Sequence, residues 1–154
     1  MMNINRTVRL LITLGFVCSN VLGAQTFPEA AAMRALTEAR SLKCTFPWYA
    51  SADWDADQPE IKNASQKEFE FQIDGIEYRT SRARFIGNAG ADDLIAIQGT
   101  DSVSFIERVP VGSVNVTTVY AWRNKAGNFK AVHSRHTAIG GPSPSQNYGY
   151  CQVW

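Results

Sequence analysis

Both histidines of the chain lie in one short segment, His133-Ser134-Arg135-His136. Imidazole side chains titrate near neutral pH, so they serve as general acids and bases and as ligands for metals or anions. The pattern of residues 129–137 predicts a strand, in which side chains alternate between two faces. His133 and Arg135 are then expected on one face, and Ser134 and His136 on the other. The two histidines are therefore not expected to converge on one metal ion.

Three interpretations of this segment remain open. The first interpretation is catalytic. It forms a triad from His136, either Ser143 or Ser145, and either Asp92 or Asp93, although no Gly-x-Ser-x-Gly motif supports it. The second interpretation is structural, and in it the segment is a polar strand end whose Arg135 and histidines bond loop carbonyls or acids. The third interpretation is ligand binding. In it the polar side chains of His133, Arg135 and His136 contact a ligand together with the aromatic side chains of Tyr120 and Trp122.

An acidic run, Asp53-Trp54-Asp55-Ala56-Asp57, alternates carboxylates as the opening of an EF-hand loop does. The sixth position of that loop holds Gln58 instead of glycine, and the twelfth holds Ala64 instead of glutamate. The sequence therefore favours a solvated acidic loop. We predict neither a metal nor any other cofactor.

Aromatic side chains are numerous for a chain of this length. They can line a ligand cavity or anchor a protein interface, but in small β-domains they more often form the core and its rim. The set comprises Trp48, Tyr49, Trp54, Tyr120, Trp122, Tyr148, Tyr150 and Trp154.

The first 24 residues have the three parts of a secretory signal peptide. Arg6 and Arg9 precede an apolar run over residues 10–18, and a small-residue end places cleavage after Gly23 or Ala24. The apolar run is about half the roughly 20 residues that a membrane-spanning helix needs. The predicted organisation is thus a signal peptide over residues 1–24 and a single β-rich domain over residues 25–154, periplasmic or secreted.

Removal of the leader changes both the charge and the cysteine count. Two of the 15 basic residues leave and all 14 acidic residues stay, so 13 basic residues face 14 acidic ones. No basic excess remains to hold nucleic acid, and no later segment is long and apolar enough to span a membrane. Cys18 also leaves, and the simplest state of Cys44 and Cys151 in an exported chain is one disulfide. Two free thiols or a redox pair are the alternatives, although a redox pair usually has Cys-x-x-Cys spacing.

The remaining pattern predicts one helix followed by strands. Pro28 is suited to a first helical turn, and an alanine-rich segment continues to about Arg40. Period-two alternation then predicts strands, with a hairpin turn at Asp74-Gly75 and long loops over residues 50–63 and 140–145. The predicted strands cover residues 42–46, 69–73, 76–80, 94–98, 103–107, 114–122, 129–137 and 148–153, and residues 83–86 are a further short candidate.

These elements predict a mainly β protein, with seven or eight antiparallel strands in a barrel or sandwich and one short N-terminal helix. The last strand, which carries Cys151, is expected to pair with the first strand, which carries Cys44, and so to close the structure.

Several short segments resemble a group of small exported bacterial β-domain proteins of unknown function. They are Leu42-Lys43-Cys44, Ile86-Gly87-Asn88, Phe105-Ile106-Glu107, Thr117-Thr118-Val119-Tyr120, residues 131–136 and Tyr148-Gly149-Tyr150-Cys151. This resemblance implies an exported β-domain and no particular activity. A weaker architectural likeness is to the periplasmic inhibitors of C-type lysozyme, whose Ser-Gly-x-x-Tyr loop has only a poor counterpart here in residues 74–78.

The function expected from the sequence is that of an exported, non-enzymatic β-domain that binds a small ligand or an envelope protein. The alternatives are a small hydrolase that uses His133 or His136, and a structural component of the cell envelope.

Overall fold

The structure, a computed structural model, describes residues 28–54, 57–110, 112–138 and 140–154. The predicted leader, residues 1–24, lies outside the described residues. One helix precedes eight strands. Their bounds are α1 (Pro28–Glu38), β1 (Leu42–Asp53), β2 (Glu60–Glu77), β3 (Arg82–Gly87), β4 (Gly90–Gln98), β5 (Ser102–Arg108), β6 (Val114–Arg123), β7 (Phe129–Thr137) and β8 (Ser143–Val153).

The eight strands form a closed antiparallel barrel in sequence order. Each strand pairs with the next, and β8 pairs with β1 to complete the ring. Closure gives every backbone edge in the ring a partner, which removes the exposed edges that promote aggregation. The predicted β class is therefore confirmed, with the barrel rather than the sandwich as the architecture.

A disulfide joins the two strands at the closing seam. Cys44 of β1 lies directly opposite Cys151 of β8 in the register, and their sulfur atoms are bonded. Both side chains are buried. The predicted pairing of the first and last strands is thus confirmed, together with the bond that links them.

The helix α1 closes one end of the barrel. Its apolar face buries Ala32 and Leu36 against the barrel core, mainly beside β5 and β6, and Ala39, directly after the helix, is buried in the same core. The chain after the helix is tied to the end of β2, because the Ile76 amide donates to the Arg40 carbonyl and the Arg40 guanidinium donates back to the Ile76 carbonyl, at 3.1 and 2.9 Å. No helix in the described part of the chain is long and apolar enough to cross a membrane.

Two predicted loops are wrong in extent. Residues 50–63 are mostly strand, because β1 continues to Asp53 and pairs with β2 from Glu60 onward. Residues 140–145 are also not all loop, since β8 begins at Ser143 and pairs with Thr137 of β7. Both stretches are polar, and strand pairing supplies backbone hydrogen bonds that the side-chain pattern does not reveal.

The predicted hairpin turn at Asp74-Gly75 is also wrong. Gly75 has a φ of 61°, and its amide bonds the Asp74 carboxylate, but the chain continues as β2. The pairing of β2 with β3 shifts register between Asp74 and Glu77, which marks a bulge that turns Ile76 into the core. The reversal occurs later, at a 3₁₀ turn formed by Tyr78–Thr80.

Gly149 is the point of closest backbone approach at the seam. A Cβ atom there would meet the Thr45 carbonyl oxygen and lie 2.7 Å from the Phe46 Cα. The pairing of β1 with β8 is irregular between Thr45 and Trp48, so the bulge of β1 occupies the space that a side chain would need. Only glycine fits opposite this bulge.

We expect Gly149→Ala to lower the free energy of unfolding by about 1–3 kcal/mol, because the added methyl group forces backbone apart. Urea unfolding measures the change. Elsewhere in a strand the same substitution would stabilise the protein by reducing the entropy of the unfolded chain. The control is Ser145→Ala, earlier on β8, which adds no atom and should change stability by less than about 0.5 kcal/mol. A stabilising effect of Gly149→Ala would contradict the close approach.

We expect the disulfide to stabilise the barrel strongly, since it joins residues separated by 107 positions. Replacing both partners in Cys44→Ala/Cys151→Ala should cost about 4–5 kcal/mol in the chain-entropy model of cross-linking. Alkylation of the denatured, unreduced protein followed by peptide mass spectrometry should leave Cys44 and Cys151 unmodified. Alkylation of both residues without reductant would show that the bond does not form.

Candidate functional site: the open mouth of the barrel

The barrel end opposite α1 is open, and polar and aromatic side chains line it. We call this end the mouth. It is formed where β3, β5 and β7 end and β4, β6 and β8 begin. Its lining includes Phe69, Phe85, Asp92, Glu107, Asn115, His133 and Arg135.

The outermost inward layer crosses three neighbouring strands. Glu107 of β5 lies opposite Asn115 of β6, which lies opposite Arg135 of β7. The Asn115 amide donates a 2.6 Å hydrogen bond to the Glu107 carboxylate, so that carboxylate is held in place. The Arg135 side chain is exposed at the rim. This layer therefore presents a hydrogen-bonded carboxylate, an amide and an exposed guanidinium in a row.

A second polar layer lies one step deeper. Thr117 of β6, His133 of β7 and Asn147 of β8 are register partners, and all three are buried, at 5%, 3% and 6% exposure. Thr117 Oγ1 lies 2.9 Å from His133 Nδ1, so one of these groups donates and the other accepts. The Asn147 amide donates to the His133 carbonyl at 3.3 Å. These bonds offset the cost of removing polar groups from water.

Aromatic rings form the facing wall. The His133 ring lies 5.2 Å from the Phe71 ring and 5.4 Å from the Phe69 ring, measured between centroids. Phe85 extends the same wall, 4.8 Å from Phe71. The strand alternation of β2 and β3 places these residues inward, beside the beginning of β4. The mouth thus has a polar wall from β5 to β7 and an apolar wall from β2 and β3.

A cavity of about 300 Å³ lies between the two walls. It reaches His133 at its base and Thr137 and Ala89 near the rim. A neighbouring cavity of about 270 Å³ shares Phe69, Phe85, Ala89 and Asp92 with it. Ligand sites are typically concave and mainly apolar with a few fixed polar groups, and the mouth has this character.

The buried imidazole is neutral at neutral pH. Burial, followed by the positive charge of Arg135, lowers the pKa of His133 from 6.5 to about 4. Both causes disfavour the imidazolium ion, the first through desolvation and the second through repulsion. At neutral pH the ring therefore offers one hydrogen-bond donor and one acceptor and carries no charge.

The structure places the predicted ligand-binding residues in three locations. His133 and Arg135 share the inward face and meet at the mouth. His136 points outward, beside a shallow depression of about 220 Å³ that Ile61 and Gln146 also line. Tyr120 and Trp122 lie on the outer face near the closed end, with ring centroids 6.4 Å apart. The two histidines therefore do not share a site, as the strand alternation predicted.

Of the candidate triad residues, Ser145 and His136 line the same shallow depression. Asp92 lines the mouth and Asp93 a separate cavity, and no described aspartate lines the depression beside His136. Ser143 donates to the Asp53 carboxylate at 3.4 Å, and His136 lies on the opposite face of β7 from His133. His133 has a threonine hydroxyl as its Nδ1 partner, not a carboxylate. The described residues therefore do not assemble a complete triad around His136.

The acidic run over residues 53–57 is only partly described, since residues 55 and 56 lie outside the described residues. Asp53 is bonded to Lys62 at 3.4 Å and to Ser143. In the described ranges no three His, Cys, Asp or Glu side chains come together as a metal site would require.

Sequence reasoning missed most of the polar wall. Glu107, Asn115, Thr117 and Asn147 were not among the predicted site residues. A signal existed in β6, where Asn115 and Thr117 occupy the same alternate positions as the buried Val119 and Ala121. Polar residues at the inward positions of a strand indicate that the interior of the barrel contains polar groups.

Comparisons with known proteins found no matching family model, no similar curated protein and no similar solved structure. The resemblance to small exported β-domains and the likeness to lysozyme inhibitors therefore remain predictions from the sequence.

We expect His133 to make stability depend on pH. In the unfolded chain its pKa is 6.5, whereas in the folded protein it is about 4. Between these values the unfolded state binds a proton that the folded state does not, so stability is full above the higher pKa and declines as pH falls towards the lower one. The loss from this group should be about 2 kcal/mol between pH 7 and pH 5, as measured by urea unfolding.

The comparison uses two matched variants. His133→Gln should remove this part of the pH dependence, whatever its effect on stability at pH 7. His136→Gln, which changes an exposed histidine on the same strand, should keep it. Equal pH slopes for His133→Gln and the wild type would show that the buried imidazole is not the cause.

Proposed function

We propose that this chain is an exported, non-enzymatic binding domain that holds a small ligand in the mouth of its barrel. The observation that carries the proposal is the 300 Å³ cavity with one polar and one aromatic wall. The closed end is filled by an apolar core and by α1, so the mouth is the place where polar groups of the interior reach solvent.

The arrangement of the polar groups supports binding more than catalysis. The buried His133 is fixed by Thr117 and Asn147, and its lowered pKa makes it a weak base at neutral pH. A general base works best when its pKa is near the working pH, and a nucleophile beside it is also required. Neutral, fixed donors and acceptors suit recognition of a ligand.

Export is part of the same proposal. Its support comes from the predicted leader over residues 1–24 and from the Cys44–Cys151 disulfide, since structural disulfides persist mainly outside reducing compartments. The ligand would then be a molecule of the periplasm or of the surroundings of the cell.

A fragment screen by two-dimensional NMR of the ¹⁵N-labelled protein tests the proposal. Fragments that bind should shift the amide signals of Glu107, His133 and Arg135 and leave those of Tyr120 and Trp122 unchanged. The physical reason is that the first three residues line the mouth, whereas the last two lie on the outer face near the closed end.

A rim variant makes the test specific. Ala89 lies in the exposed β3–β4 turn and lines both cavities of the mouth, so Ala89→Trp should fold and obstruct entry. Binding should weaken by about tenfold or more, because the indole competes with the ligand for the cavity. Ala126→Trp, in an exposed turn at the closed end, should have no effect. The absence of binders, or binding that Ala89→Trp leaves unchanged, would refute the proposal.

A further inference from the structure

The charges around the mouth are arranged by sign. Asp92 lies on β4 and Glu107 on β5, the neutral amide of Asn115 follows on β6, and Arg135 lies on β7. Because the strands are neighbours in this order, the acidic side of the rim faces a basic side across an uncharged amide. The mouth therefore carries a local electrical dipole in addition to its polar and aromatic walls.

The charged side chains of Asp92, Glu107 and Arg135 do not neutralise one another. In the described part of the chain, no ion pair involves Asp92, Glu107 or Arg135, whereas the outward Arg84 is paired with Asp74 at 3.1 Å. The hydrogen bond from Asn115 holds Glu107 on its own side of the rim. Acid and base thus stay separated although they line one cavity.

We infer that the ligand is a small zwitterion with an apolar side chain, namely an α-amino acid or a dipeptide; this inference rests on the proposed function. Its ammonium group lies beside Asp92 and Glu107, and its carboxylate meets Arg135, whose planar guanidinium can donate two hydrogen bonds to it. Its apolar side chain packs against Phe69 and Phe85.

Ligands of other charge types fit this mouth less well. A purely cationic ligand would approach Arg135, and a purely anionic one would approach two carboxylates. An uncharged ligand would take water from these charges without replacing it, which is costly. The aromatic wall strengthens each effect, since it lowers the local dielectric constant beside the rim.

The dimensions agree with a molecule of this size. Residues 107 and 135 are two strand spacings apart, about 10 Å between backbones, and both side chains reach inward from there. The charges of the ligand must therefore be separated by clearly less than that distance. A single amino acid or a dipeptide meets this condition and can occupy a cavity of about 300 Å³.

The test compares four probes by isothermal titration and NMR with the wild-type protein. L-phenylalanine and glycyl-L-phenylalanine carry both charges, N-acetyl-L-phenylalanine lacks the cation, and L-phenylalanine amide lacks the anion. At least one of the two zwitterions should bind, and each single-charge derivative should bind about tenfold or more weakly than the free amino acid or the dipeptide. The stronger zwitterion separates an amino-acid ligand from a dipeptide ligand.

Two matched pairs of variants locate the charges. Arg135→Gln should abolish the preference for the free acid over the amide, while Arg108→Gln, on an outward residue beside Glu107, should keep it. Asp92→Asn should weaken the preference for the free ammonium over the acetylated form, while Asp93→Asn, its outward neighbour, should not. The ratio of the affinities of two probes for one variant does not depend on the stability of that variant.

The possible failures are distinguishable. If fragments bind at the mouth but neither zwitterion does, or if the single-charge derivatives bind as well as their parents, the ligand class is wrong and the binding function stands. If the preferences exist but persist in Arg135→Gln, the proposed position of the carboxylate is wrong. If neither fragments nor zwitterions bind at the mouth, the proposed function fails as well.

Discussion

The pairing of β8 with β1 is the constraint on which the rest of the structure depends. It turns an open sheet into a ring with a single interior, and so decides which side of every strand is inside. The seam relies on two features at neighbouring positions of β8: Cys151, which is bonded to Cys44, and Gly149, which leaves room for the bulge of β1. The closed ring leaves none of its eight strands with a free edge.

In the closed ring, the role of an inward residue depends on its position along the strand, between the closed end and the mouth. In β7 the inward side chains run from Phe129 and Ala131 in the core, through His133 in the buried polar layer, to Arg135 at the rim. The closed end excludes water with apolar side chains and with α1. The open end admits water and keeps its polar groups hydrogen-bonded. The same alternation therefore produces the core and the candidate site, and no separate element is needed to build the mouth.

The sequence predicted the features that depend on the local alternation of side chains, namely strand bounds and the face on which a residue lies. The strand over residues 129–137 was predicted with its observed bounds, and His133 and Arg135 were predicted on one face. The pairing of polar segments was not predictable. Residues 50–53 and 60–63 have no apolar alternation, and their strand structure comes from pairing with each other and, for residues 50 and 51, with β8. Asp74-Gly75 has the composition of a turn but forms a bulge, because Ile76 is held by Arg40 from a distant part of the chain. The alternation of β6 gave a signal for Asn115, but its pairing with Glu107 and Arg135 became visible only with the register of β5, β6 and β7.

The buried layer of Thr117, His133 and Asn147 is the part of the interior that stability alone does not explain. Apolar residues at these positions would extend the core without any need to pair donors and acceptors, and buried polar groups replaced by well-packed apolar ones are often neutral or stabilising. His133 also makes the fold less stable in acid, because its imidazole must stay neutral to remain buried. Real proteins depart from local consistency mainly at functional sites. The layer lies one inward step below Asn115 and Arg135, beside the cavity that Asp92 and Glu107 also line. This arrangement is the physical reason for proposing the mouth as the binding site.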